Sequence, residues 1–124
     1  KSQNLNKKEE KFIEKEIFYF HQGTLRSGEL LETSQNLFIL GDVNPGAIVS
    51  SNGDVKVWGR LLGIAHAGKS GRTDARISAL ELRPVQLRIA DKIARGPEEK
   101  PQRGFAEEAQ IESGVIIIKP ARAN

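Results

Sequence analysis

The stretch Leu37-Phe38-Ile39-Leu40-Gly41-Asp42-Val43-Asn44-Pro45-Gly46-Ala47-Ile48-Val49 leads through a turn at Ser50-Ser51-Asn52-Gly53-Asp54 into Val55-Lys56-Val57-Trp58-Gly59-Arg60-Leu61-Leu62-Gly63-Ile64-Ala65-His66-Ala67-Gly68. Leu37 and Val55, Ile39 and Val57, Leu40 and Trp58, and Gly41 and Gly59 are spaced alike, so the second run repeats the first. Short apolar runs with glycine corners predict stacked coils, because a single such unit cannot bury its apolar face without neighbours above and below. The period suits one coil of a β-solenoid with about three strands per turn.

The flanking sequence extends this pattern. Ile17-Phe18-Tyr19-Phe20 is β-branched and aromatic, and Gly23 and Gly28 bracket the segment that follows, which predicts strand, corner, strand. After a loop from Gly68 to Asp74, Ala75 to Leu82 alternates small or apolar with polar residues and reads as a further coil. Val85 to Asp91 alternates at period two, a half-buried strand, while Gly96, Pro97, Pro101 and Gly104 mark Arg95 to Gly104 as a loop. Strand signals return at Ala109 to Glu112 and Val115 to Ile118. No segment carries a helical apolar stripe of ten or more residues, so the expected class is all-β. Lys1 to Glu16 is charge-dense and reads as a linker or tail, leaving 17–124 as one domain.

Composition narrows the function. The chain has no cysteine, which excludes disulfides, thiolate nucleophiles and cysteine metal sites, and only two histidines limit imidazole ligation. No metal or cofactor is expected. No apolar run reaches the roughly 18 residues of a membrane span, and no secretion signal opens the chain, so a cytoplasmic location is expected. The formal net charge of +3 comes from interspersed acidic and basic residues, an ordinary solvated surface and not a nucleic-acid footprint. A chain beginning at Lys1 reads as part of something longer.

Five features bear on chemistry or contact. Gly63-Ile64-Ala65-His66-Ala67-Gly68-Lys69-Ser70 matches the phosphate-binding P-loop pattern, yet Gly71 follows at once and no helix or βαβ unit surrounds it, so a solenoid corner is the expected reading. His66 is placed to act as a general base, as in β-solenoid acyltransferases, but no carboxylate lies near it in sequence to orient it. Asn52-Gly53 reads as a turn in which both residues tolerate positive φ, and Trp58 fits either the interior or a protein interface. Arg26-Ser27-Gly28-Glu29 reads as a corner or a contact site, since an exposed arginine beside a flexible corner is a common interface anchor.

Thr24-Leu25-Arg26-Ser27-Gly28, Gly41-Asp42-Val43-Asn44-Pro45-Gly46-Ala47, Val57-Trp58-Gly59-Arg60-Leu61-Leu62-Gly63 and Ala65-His66-Ala67-Gly68, taken in order, resemble the MinC carboxy-terminal domain family over residues 17 to 119. The resemblance implies a right-handed parallel β-helix that forms a homodimer and binds the membrane ATPase MinD in its ATP-bound form. It implies a non-enzymatic adaptor, recruited to the inner face of the bacterial membrane only through MinD. It also implies that the full-length protein's amino-terminal domain inhibits FtsZ assembly away from midcell, with 1–16 as the interdomain linker. The family's docking motif, arginine-serine-glycine-glutamine, falls on Arg26, Ser27 and Gly28, while Glu29 replaces the amide with a carboxylate. A second, acidic contact position of the family falls on Asn52, with Asp54 beside it.

Overall fold

The computed structural model describes residues 17–96 and 105–121. The linker expected at 1–16 and most of the loop expected at Arg95 to Gly104 lie outside the described residues.

Each coil is two strands and two corners. The coils are β1 (Phe18–Gln22) with β2 (Leu30–Thr33), β3 (Asn36–Leu40) with β4 (Ile48–Ser51), β5 (Val55–Leu61) with β6 (Ile64–Ala67), and β7 (Ile77–Leu82) with β8 (Gln86–Ile89). The first strands of successive coils pair in parallel as β1-β3-β5-β7, here called sheet A, and the second strands as β2-β4-β6-β8, here called sheet B. Single parallel bridges from Leu25 to Val43 and from Val43 to Leu61 make a narrow third side between them. The architecture is the parallel β-solenoid expected from the repeat, with its third side reduced to a bridge.

Alternation within the strands builds the core. Leu37, Val55 and Ile77 stack in register inside sheet A, Val49, Ala65 and Leu87 inside sheet B, and Val43, Leu61 and Leu82 along the third side, all fully buried. Neighbouring coils lie about 4.8 Å apart, so these columns are continuous, and each large aliphatic contributes about 1.5–3 kcal/mol by burial. Where two coils pinch together only glycine fits: a Cβ on Gly59 would lie 2.2 Å from the Gly41 carbonyl oxygen.

Polar side chains tie coil to coil at the corners. Asn36 Oδ1 accepts from the Asp54 N–H at 2.8 Å, 18 residues on, and Asp54 Oδ1 accepts from the Arg76 N–H at 2.9 Å, 22 residues on. The longer offset reflects the corner after β6, where the insertion Gly68 to Asp74 outweighs a shortened corner at Leu62-Gly63, and it is accompanied by a bulge between Val57 and Arg60. Asn52-Gly53 departs from the sequence reading, because neither residue has positive φ. Gly53 is required for space: a Cβ there would fall 2.0 Å from Asn36 Oδ1, the atom that ties the corner to the next coil.

The two ends of the stack differ. The last coil is closed by antiparallel additions, β9 (Lys92–Ala94) on β8 and β10 (Glu107–Glu112) on β7, with β11 (Val115–Pro120) returning against β10. Ser113 and Gly114 both take positive φ, the signature of a two-residue hairpin turn that matches strand twist. Ile111, Ile116 and Ile118 of this hairpin pack against the core. At the opposite end β1 and β2 are edge strands, and the first-coil corner has no coil stacked above it among the described residues.

Candidate docking site

The corner of that first coil is a defined turn. The Glu29 N–H donates to the Arg26 carbonyl at 2.9 Å and Gly28 has φ +91°, which makes Arg26-Ser27-Gly28-Glu29 a type II β-turn. Asn44-Pro45-Gly46-Ala47 repeats it one coil below, with Ala47 N–H to Asn44 oxygen at 3.0 Å, Gly46 at φ +90°, and proline at the favoured second position. The turns are stacked by the Gly28 N–H donating to the Gly46 carbonyl at 2.9 Å.

Stacking gives the two glycines different surroundings. A Cβ on Gly46 would lie 2.2 Å from Ser27 Oγ, whereas one on Gly28 would meet nothing within 4 Å. Ser27 thus rests on the turn below, and the upper surface of Gly28 is open to whatever approaches. Glu29 Oε1 accepts from the Arg26 N–H at 2.6 Å, so the carboxylate braces the turn from within. A glutamine at this position would keep the acceptor, since its amide oxygen is isosteric with the carboxylate oxygen. All four residues are exposed.

Asn52 is not part of this cluster. It lies at the other end of sheet B, past β4, and four strand residues at about 3.3 Å each put the two corners roughly 13 Å apart. Its N–H donates to the Thr33 carbonyl at 3.3 Å. The Asp54 carboxylate beside it is engaged by the Arg76 N–H.

Between the two corners, the outer face of sheet B carries two rows. Next to the turn, Leu30, Ile48 and Ile64 stand in register, with Leu30 61% and Ile48 40% exposed. Beyond them run Glu32, Ser50, His66 and Arg88. Lys69 Nζ pairs with Glu32 and Ser50 Oγ donates to it at 3.3 Å. The hydrogen bond from Lys69, reinforced by its charge, holds the Glu32 carboxyl below the usual carboxylate range. His66 Nε2 lies 3.0 Å from the Ala90 carbonyl, the geometry of a donated N–H. Burial pushes the His66 imidazole down, and the charges of Arg88 and Lys69 act the same way against the opposing pull of that bond.

These contacts bear on the nucleotide-binding and acyltransferase alternatives. Ile64–Ala67 is strand β6, and the Gly68, Lys69 and Gly71 N–H groups donate to the Gly53, Ser51 and Gly68 carbonyls at 2.8–3.0 Å. Within Gly63 to Ser70 the Ile64, Gly68 and Lys69 amides are therefore already engaged, and Lys69 is turned toward Glu32. The Ala90 main-chain carbonyl takes up Nε2 of His66 and fixes the ring, which leaves Nδ1 as the nitrogen that could accept a proton.

Sheet A presents a second outward surface. Phe20, Leu40, Trp58 and Leu80 are 53%, 38%, 58% and 42% exposed, and Phe38 stacks on Phe20 with ring centroids 5.7 Å apart. Of the two placements left open for Trp58, the structure gives the outer one. Sequence reasoning did not identify this face; its signal is the set of apolar residues out of phase with the core, visible only once coil register is known.

The comparisons agree with this geometry. Residues 19–121 match the family model described as septum formation inhibitor MinC, C-terminal domain. A probable septum site-determining protein MinC from one strain of Prochlorococcus marinus is 69% identical over 103 residues, covering 83% of this chain and 47% of that protein. The corresponding protein of another strain, MIT 9313, is 65% identical over 105 residues, covering 85% and 47%. The chain spans about half the length of these curated relatives. Among solved structures, a chain of the MinC:MinD cell division protein complex from Aquifex aeolicus superposes with a TM-score of 0.79 at 37% identity, covering 87% of this chain and 89% of that one.

Proposed function

This chain belongs to the family of MinC carboxy-terminal domains, and from that premise we propose that it is a dimerising adaptor without catalytic activity of its own. Its Arg26-Ser27-Gly28-Glu29 turn docks on MinD in the ATP-bound state, with Asn52 at the far border of the contact. The aromatic outer face of sheet A pairs with a second copy. In the longer protein this pairing and docking carry an FtsZ-directed inhibitory domain to the cytoplasmic face of the membrane, through MinD, at sites other than midcell.

The observation that carries the reading is the exposed type II turn on the terminal coil, where Gly28 admits close backbone approach and Arg26 offers a planar fork of donors beside it. The Aquifex aeolicus relative was solved as a MinC:MinD complex, which supports the choice of partner. Self-association is supported by the exposed Phe20, Leu40, Trp58 and Leu80 on the sheet A face, since clustered exposed apolar side chains mark an interface.

The test is co-sedimentation of this chain with MinD on anionic vesicles, in ATP and in ADP. ATP-dependent recovery in the pellet is expected. Equal recovery in both nucleotides, or none in either, overturns the reading.

A further inference from the structure

We infer that the aliphatic row Leu30, Ile48 and Ile64 is the apolar centre of the MinD-docking surface, flanked by the Arg26 turn on one side and the Glu32–Ser50–His66 row on the other. The inference rests on the docking reading above and extends it from a turn to a face.

Each member of the row is the first residue after a corner: Leu30 follows Glu29, Ile48 follows Ala47 and Ile64 follows Gly63. The coil-to-coil translation that stacks the turns therefore stacks these side chains too, about 4.8 Å apart, into a strip roughly 10 Å long beginning at Arg26's own coil. Outward direction follows from strand alternation, because Val49 and Ala65, the next residues along, are fully buried. The row ends at the fourth coil, where the register position is Gln86. Within this row apolar character is thus confined to the three coils nearest the open end, and Ile93 of β9, 57% exposed opposite Arg88, stands apart from it at the other end of the sheet.

The neighbouring row has the character of a rim. Glu32, Ser50 and His66 already have partners within the chain, in Lys69, Glu32 and the Ala90 carbonyl, so covering the aliphatic strip leaves none of these three without a bond. A dry centre with a bonded polar border is the usual anatomy of a specific interface. Sheet A offers a second copy the larger aromatic face, and the sheet B strip is continuous with the Arg26 turn, so its occupant is MinD.

Ile48→Lys tests this. Ile48 lies mid-row with its side chain outward, and a lysine stem can lie along the strip while the ammonium reaches water. Leu30→Lys, on the edge strand, serves as a second variant should the first fail to fold. With wild type bound in ATP and Arg26→Ala released, each lysine variant is expected to weaken co-sedimentation about tenfold or more, at unchanged melting temperature and unchanged sedimentation coefficient. Binding within about twofold of wild type overturns the inference while the docking reading stands. Loss of self-association with intact MinD binding also overturns it, by assigning the strip to the dimer. Failure of wild type to bind overturns the docking reading itself, and this extension with it.

Discussion

Replacing Gly46 with alanine tests how the second coil shapes the Arg26-Ser27-Gly28-Glu29 turn of the first. At φ +90° a side chain is strained, which costs about 1–3 kcal/mol. The new Cβ would also lie 2.2 Å from Ser27 Oγ and 2.9 Å from Ser27 Cβ. The hydroxyl can rotate aside, but Cβ moves only if the turn moves, an overpacking cost of about 1–3 kcal/mol. Lower entropy of the unfolded chain returns about 0.4–1 kcal/mol. The net loss is about 3 kcal/mol, which for a domain near 100 residues lowers the melting temperature by roughly 10–20 °C. Gly28→Ala is the control: φ is +91° and no atom lies within 4 Å of the new Cβ. It retains only the strain, about 1 kcal/mol net and roughly 5 °C. Thermal and urea unfolding of both variants decide the matter. Equal losses would refute the claim that Ser27 rests on Gly46.

Three further outcomes follow from other contacts. Glu29→Gln preserves an acceptor for the Arg26 N–H and is expected to change stability by less than about 0.5 kcal/mol, whereas Glu29→Ala costs about 1 kcal/mol in urea unfolding and weakens MinD binding. Because His66 sits below its ordinary value of 6.5 in the folded chain, the unfolded chain takes up the proton first. Its contribution is therefore full above about pH 6.5 and is lost as pH falls through the folded value; urea midpoints at about pH 7.5 and about pH 5.5 should converge in His66→Gln. Trp58→Glu places a carboxylate on the sheet A face and should give a monomer in sedimentation at micromolar concentration, with a circular dichroism spectrum unlike wild type counting against the assignment.

The sequence makes the solenoid legible because Leu37/Val55 and Ile39/Val57 stack directly in three dimensions, so a repeat along the chain is a contact between coils. Ala75 to Leu82 reads as a coil, but its register does not, since the Gly68 to Asp74 insertion and the bulge after Val57 change the offset and hide the pairing of Val57 with Ala79. The terminal hairpin is legible as strands only: nothing in Ala109 to Ile118 distinguishes an antiparallel return from another coil until Ser113-Gly114 is seen at positive φ. For the candidate docking site, residue type singles out Arg26, Ser27, Gly28 and Glu29, and the turn shows that they form one unit. Asn52 looks close to that turn as a matter of motif order, yet it stands a strand's length away, a separation that chain numbering cannot express. Gly53 shows the same limit, because its reason for being glycine is a side chain in the preceding coil.

Docking of the Arg26 turn on ATP-bound MinD is tested by a calorimetric titration of MinD, held with a non-hydrolysable ATP analogue, by wild type, Arg26→Ala and Arg26→Lys. Arg26 is exposed, so neither change should disturb folding. Alanine is expected to weaken affinity by about 2 kcal/mol, roughly thirtyfold, and lysine to recover only part of it, having the charge without the planar fork. Wild-type affinity in Arg26→Ala would contradict this docking.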